Sequence, residues 1–169
     1  MTEVEIVRDA QTLRAANINP DTFLATDYLN HFNEVLMLIE MLPSMPDCAE
    51  DVFSWQPMSY SDYFEQSTFK EKALAIELYD EVPSELKDHF EDLVGKIDEK
   101  VFRLIERISD LNGDLSGGSY DSLAFSASTE IRPLIDRASA LVNASAGATD
   151  WMLAIDHPTA QDEVDRLFD

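Results

Sequence analysis

The stretch "SELKDHFEDLVGKIDEKVFRLIERISDLNG", residues 84–113, places Leu86, Phe90, Leu93, Ile97, Val101, Leu104, Ile108 and Leu111 three or four positions apart. That spacing follows the 3.6-residue turn of an α-helix and lines all of them along one stripe. Ser84 stands where a cap is wanted, Pro83 precedes it, and Asn112-Gly113 closes the run. An apolar stripe of this length on a helix with charged flanks demands cover from other helices. The segment therefore argues for an all-α protein.

The rest of the chain supplies the partners. After "NINPDT", residues 17–22, Asn19 is placed to cap and Pro20 to occupy a first turn. The stripe that follows runs Leu24, Tyr28, Phe32, Val35, Ile39 and Leu42, ended by Pro43. "CAEDVFSW", residues 48–55, reads as a short helix between Pro46 and Pro57. A further helical run is expected from Ser61 to about Asp80, with Phe69, Ala73, Ile76 and Tyr79 or Leu78 facing inward. A last long helix is expected from Tyr120 to Asn143, striped by Ile131, Leu134, Ile135, Ala138 and Leu141 and kinked at Pro133. No window alternates as a strand. The expected architecture is an antiparallel helical bundle of about four main helices over residues 1–143, its firmest part the 84–143 hairpin. "NASAGATD", residues 143–150, opens a linker expected over 144–158, and a short C-terminal helix is expected over 159–169.

A chain of 169 residues with 45% apolar and 27% charged residues is globular in composition. Its charge is lopsided, 34 acidic residues against 12 basic, a formal net of −22. Nucleic acid and anionic membranes call for Lys and Arg patches, so neither is an expected partner. The opening "MTEVEIVRDAQ" has no basic, apolar leader, and the apolar run "VLMLIEML" at 35–42 is broken by Glu40. Cys48 stands alone, which rules out a disulfide framework and suits a reducing cytoplasm.

Several constellations invite chemistry. In "DLNGDLSGGSYD", residues 110–121, Asp110, Asn112, Asp114, Ser116 and Asp121 fall at the ligand positions of an EF-hand loop. The sixth position is Leu115 where the turn needs Gly, and the twelfth is Asp121 where calcium wants a bidentate Glu. A polar turn between helices explains the loop better. His31 with Glu34, and His89 with Glu85, Glu91 and Asp92, hint at a carboxylate–histidine metal site, yet the chain has no Glu-x-x-His motif. No metal and no cofactor is expected. Cys48 lacks a basic or histidine neighbour to activate it, and "SGGS" has neither the strand nor the lysine of a phosphate loop.

"SYSDYFEQSTF", residues 59–69, packs Tyr60, Tyr63, Phe64 and Phe69 among polar groups. Its aromatics suit the plugging of a helix bundle. Asp62 and Gln66 are four apart and so share a helical face. A carboxamide donates and accepts at once, which lets it hold an attacking water, and a nearby carboxylate can grip a lysine.

The chain ends "TAQDEVDRLFD", residues 159–169, with Val164, Leu167 and Phe168 on one helical face. Pro158 and Thr159 mark its start, with Asp162 three residues after Thr159. Such a segment is shorter than the roughly 12–15 residues an isolated helix needs in water. It must dock on its own domain or on a partner.

This tail resembles the peptide that ends CheZ-type chemotaxis phosphatases, of the form Ser-Gln-Asp-x-Val-Asp-x-Leu-Leu. It is also similar to the peptide that opens the flagellar switch protein FliM. Gln161, Asp162, Val164, Asp165 and Leu167 match, while Ala160 replaces the Ser and Phe168 the final Leu. The resemblance implies that these residues bind a CheY-like response regulator as a short helix seated in a groove. It implies further that the protein is cytoplasmic and dimeric, that Gln66 orients water and that Asp62 engages the regulator's lysine. Any magnesium would belong to the regulator. The fuller family motif, Gln-Asp-x-x-Asp-x-Thr-Gly-Gln, is absent, and residues 84–111 and 120–143 contain no Gln. Three function classes follow: a response-regulator phosphatase, a non-catalytic acidic adaptor that only docks, and a scaffold whose tail packs on itself.

Overall fold

The long stripe becomes one uninterrupted helix in a computed structural model that describes residues 9–111 and 116–144. This helix, α6 (Ser84–Leu111), buries Leu86, Phe90, Leu93, Ile97, Val101, Leu104 and Ile108, and leaves Leu111 half-buried at its end. It begins on Ser84 itself, with the Lys87 N–H returning to the Pro83 carbonyl at 2.9 Å. The other helices are α1 (Ala10–Ala15), α2 (Asn30–Met41), α3 (Ala49–Ser54), α4 (Tyr60–Gln66), α5 (Lys72–Tyr79), α7 (Ser119–Ser126) and α8 (Arg132–Val142). The described residues are all-α, the single β feature among them being an isolated bridge between Ile18 and Ala25. No helix among the described residues is long and apolar enough to cross a membrane.

α7 and α8 both lie against α6, and α2 packs across α3, α7 and α8. The core between them takes Tyr28, Phe32, Val35, Leu36 and Ile39 from the α2 region and Leu134, Ile135, Ala138 and Leu141 from α8. Arg132 on α8 is ion-paired with Glu40 on α2 at the rim. α6 carries exposed pairs of its own, Lys96 with Asp92 and Arg103 with Glu99. Exposed pairs of this kind contribute little, about 0–1 kcal/mol. Burial of the stripes is what holds the fold.

The helix expected from Tyr120 to Asn143 runs on without a break from Ser119 to Val142, as α7, a π turn and α8 in succession. Between α7 and α8 the segment Ala127–Ile131 widens into a π turn. Pro133 has no N–H, and its ring crowds the carbonyl four residues earlier, so the chain loosens in the preceding turn. The stripe survives this, with Ile131 fully buried.

Two expectations need correction. The run expected over 61–80 is two helices, because Ser67 leaves helical geometry at the end of α4. Its hydroxyl donates to the Phe64 carbonyl at 2.8 Å and accepts from the Phe69 N–H at 3.2 Å. That local bonding competes with helix continuation. The break shifts the phase of α5, so Leu74, Ala75 and Leu78 are buried while Ala73 is exposed. The second correction concerns Asn19 and Pro20, which do not start a helix. Phe23 takes a left-handed backbone with φ of 62°, and helical structure begins only with a 3₁₀ turn at Thr26–Leu29 that leads into α2.

Asn19 caps the far end of the chain instead. Its amide donates to the carbonyls of Val142 at 2.9 Å and Ala144 at 3.1 Å, and its oxygen accepts from the Asp21 N–H. Thr22, 2% exposed, adds a hydroxyl bond to the same Val142 carbonyl at 2.7 Å. The last carbonyls of α8, which no helical N–H can reach, are thus satisfied by a loop more than a hundred residues earlier. Beyond Ala144, the expected linker and C-terminal helix lie outside the described residues.

Candidate functional site

α4 is a seven-residue helix built by its two ends and one buried edge. Ser59 caps it, its hydroxyl accepting from the Asp62 N–H at 3.1 Å. Tyr60 and Phe64 turn inward. Tyr60 packs against Tyr28, Phe64, Phe90 and, stacked at 4.4 Å, Tyr79, while its hydroxyl accepts from the Ala25 N–H at 2.9 Å. Asp62, Glu65 and Gln66 are the exposed residues of its outer side. Asp62 lies in the first turn, where the positive end of the helix dipole favours a carboxylate. Gln66 is the last residue of the helix. One rigid turn therefore offers solvent a carboxylate and a carboxamide, four residues apart.

The aromatic cluster fixes α4 in place. Tyr28 touches Phe32, Tyr60, Tyr63 and Phe90, and its hydroxyl donates to the Met58 carbonyl at 2.6 Å. Burial raises the Tyr28, Tyr60 and Tyr79 phenols above their ordinary range, so all three stay neutral.

His31 is a packed boundary residue. It is 6% exposed, stacks on Trp55 at 4.7 Å and bonds the Gln56 carbonyl through Nε2 at 2.6 Å. The Trp55 indole N–H donates in turn to the His31 carbonyl. Burial lowers the pKa of His31, which favours the neutral ring donating to Gln56. Among the described residues no three of His, Cys, Asp and Glu gather as a metal site. Cys48 is buried. In the 110–121 loop, Asp110 and Asp121 are exposed and Gly117 and Gly118 take left-handed backbones; residues 112–115 lie outside the description.

The residues of the tail, Gln161, Asp162, Val164, Asp165, Leu167 and Phe168, also lie outside the described residues. The structure thus places Asp62 and Gln66 together and describes nothing of the tail beside them. Comparison with known protein families, with curated proteins and with solved structures finds no match.

One further residue stands out, and the sequence reading passed over it. Asp98 follows Ile97 on α6, four residues from Val94 and three from Val101, so it flanks the buried stripe. Its Oδ1 is buried and has no hydrogen-bond partner among the described residues. Burial pushes its carboxyl up to about 6 from an ordinary 3.8. The sequence signal was there: a carboxylate at helical spacing from two apolar residues, with no Lys or Arg three or four positions away.

These two shifts give stability opposite responses to pH. A raised folded-state pKa means that Asp98 favours the fold fully below about 3.8, an advantage lost as the pH climbs through 6. His31 has the reverse sign: its contribution is whole above about 6.5 and is lost as the pH falls towards its lowered folded value. Asp98→Asn, which mimics the protonated carboxyl, should therefore raise the melting temperature most above pH 6 and not at all below about pH 4. Melting curves of the parent and variant across that window check it. A variant less stable at pH 7 would show that the Asp98 carboxylate has a partner in solution.

Proposed function

We propose that the protein binds a CheY-like response regulator through its C-terminal peptide, with Asp62 and Gln66 as a phosphatase pair acting on the regulator's aspartyl phosphate. The observation that carries the docking half is the match of Gln161, Asp162, Val164, Asp165 and Leu167 to a regulator-binding peptide. The catalytic half draws support from the exposure of Asp62 and Gln66 on one turn of α4. In this reading Gln66 donates and accepts to hold the attacking water in line with the phosphorus, and Asp62 grips the regulator's lysine. The metal is the regulator's own. The pair would act from the cytoplasm, and a second copy of the chain would be tolerated as a dimer partner.

A second reading keeps the docking and drops the chemistry. Gln66 ends a seven-residue helix that breaks at Ser67, whereas the CheZ-type pair is carried within a long hairpin. This favours a non-catalytic acidic adaptor or scaffold as the alternative.

One experiment separates them. Phosphorylated CheY-like regulators are mixed with the full chain and loss of phosphate is followed. The phosphatase reading expects acceleration, abolished by Gln66→Ala without loss of binding. Binding without acceleration hands the role to the adaptor. Acceleration that persists in Gln66→Ala assigns the chemistry elsewhere.

A further inference from the structure

A cavity of about 270 Å³ opens between α4, α5 and α6, beside the start of α4. Its lining combines Tyr28, Tyr60 and Phe90 with Met58 and Val94, and sets Glu91 and Asp98 among them. No Lys or Arg lines it. Each of its tyrosine hydroxyls already makes a hydrogen bond: Tyr28 donates to the Met58 carbonyl, Tyr60 accepts from the Ala25 N–H, and Tyr79 donates to Glu91 at 2.7 Å. The polar group left with unmet demand is Asp98, whose Oδ1 is buried without a hydrogen-bond partner among the described residues.

A half-buried carboxylate in an aromatic and aliphatic cup selects for a particular chemistry. It wants a positive charge with hydrogen-bond donors, and the walls want an apolar body attached to that charge. A hard metal ion is poorly served, since calcium takes about six to eight oxygen ligands and magnesium keeps a rigid octahedron. An organic cation meets both demands, its charge on the carboxylate and its chain against ring faces that themselves attract cations. The fold already makes one such contact at the edge of the cavity, where the Lys87 ammonium sits 4.3 Å from the centre of the Tyr79 ring. The volume limits the guest to a short chain, because pockets for drug-sized ligands run from about 300 to 1,000 Å³.

We propose that this cavity binds a linear alkylammonium group, its nitrogen held by Asp98 and its chain packed on Tyr28, Tyr60 and Phe90. The group is either a free small amine or a lysine side chain presented by a protein. The site is separate from the Asp62–Gln66 pair and does not depend on the role assigned to it. The raised carboxyl pKa of Asp98 agrees with this, since a carboxylate held without a counter-charge is what an arriving ammonium would relieve.

The test titrates the full chain with n-butylammonium, with n-butanol as its neutral counterpart, and with Nα-acetyl-lysine amide. Calorimetry or the intrinsic tyrosine and tryptophan fluorescence reports binding. Saturable one-to-one binding of butylammonium is expected, at least tenfold tighter than butanol. Asp98→Asn should weaken it at least tenfold while remaining folded, and Asp92→Asn, an exposed residue paired with Lys96, should leave it unchanged. Acetyl-lysine amide binding as well as butylammonium identifies a side-chain guest; binding by the free amine alone identifies a small molecule. Equal binding of amine and alcohol, binding retained in Asp98→Asn, or no saturation with either amine would overturn the proposal.

Discussion

Replacing Ile97 with Asp should leave the chain unfolded at 25 °C. Ile97 is fully buried at the middle of the α6 stripe, against which α7 and α8 pack. The substitution removes a side chain whose truncation alone costs about 2–5 kcal/mol. It then adds a carboxylate at a position with no exposure to solvent, a further cost of several kcal/mol whether the group stays charged or takes up a proton. Against a total stability of about 5–15 kcal/mol, the sum reaches the whole of it. Two comparisons make the result specific. Ile97→Val keeps the shape of the stripe and should cost only about 0.5–1.5 kcal/mol. Phe102→Asp places the same carboxylate further along α6, at a residue 47% exposed, and should be tolerated. Circular dichroism and urea denaturation of the three variants decide it. A helical, cooperatively melting Ile97→Asp would mean that this face is not the core.

That prediction rests on the part of the fold most legible in the sequence. α6 could be read residue by residue because it is long, carries charge on its outer faces and has no Pro between Ser84 and Leu111, its lone Gly95 leaving the stripe in phase. The stripe from Leu24 to Leu42 was equally legible as a set of buried residues, each of them buried in the fold. Its beginning was not, since the positive φ of Phe23 and the bonds from Asn19 and Thr22 to Val142 depend on a helix end far along the chain. Ser67 misled in another way, because Ser is admissible inside helices and only its bonds to Phe64 and Phe69 reveal the break. For the site, periodicity was enough to put Asp62 and Gln66 on one face. It could not find the cavity, whose walls bring Tyr28 and Tyr60, from two other elements, against Phe90 and Asp98 of α6. Even Asp98, visible beside the stripe, looks like any other acidic residue in a chain that has 34 of them.

The second large effect belongs to the tail. Deleting residues 159–169 should eliminate binding to a CheY-like regulator while moving the melting temperature by no more than about 2 °C. The spacing of Val164, Leu167 and Phe168 would put them on one face of a helix too short to stand alone, so in the proposed docking the regulator's groove is what would hold it. Apolar anchors of this kind carry most of a short peptide's affinity, and Phe168→Ala should cost about 1–3 kcal/mol, a loss of roughly ten- to hundredfold. The acidic residues around them, Asp162, Glu163, Asp165 and Asp169 against the single Arg166, act differently. Charges at the rim steer the encounter more than they hold the complex, so raising the salt should weaken binding modestly and chiefly through the association rate. Titration of a labelled regulator against the full chain, the truncated chain and Phe168→Ala measures all three effects. If instead the truncation lowers the melting temperature by many degrees and no regulator binds the parent, residues 159–169 are a packing element of this protein's own core. The likeness to a docking peptide would then reflect only what any short acidic amphipathic helix must look like.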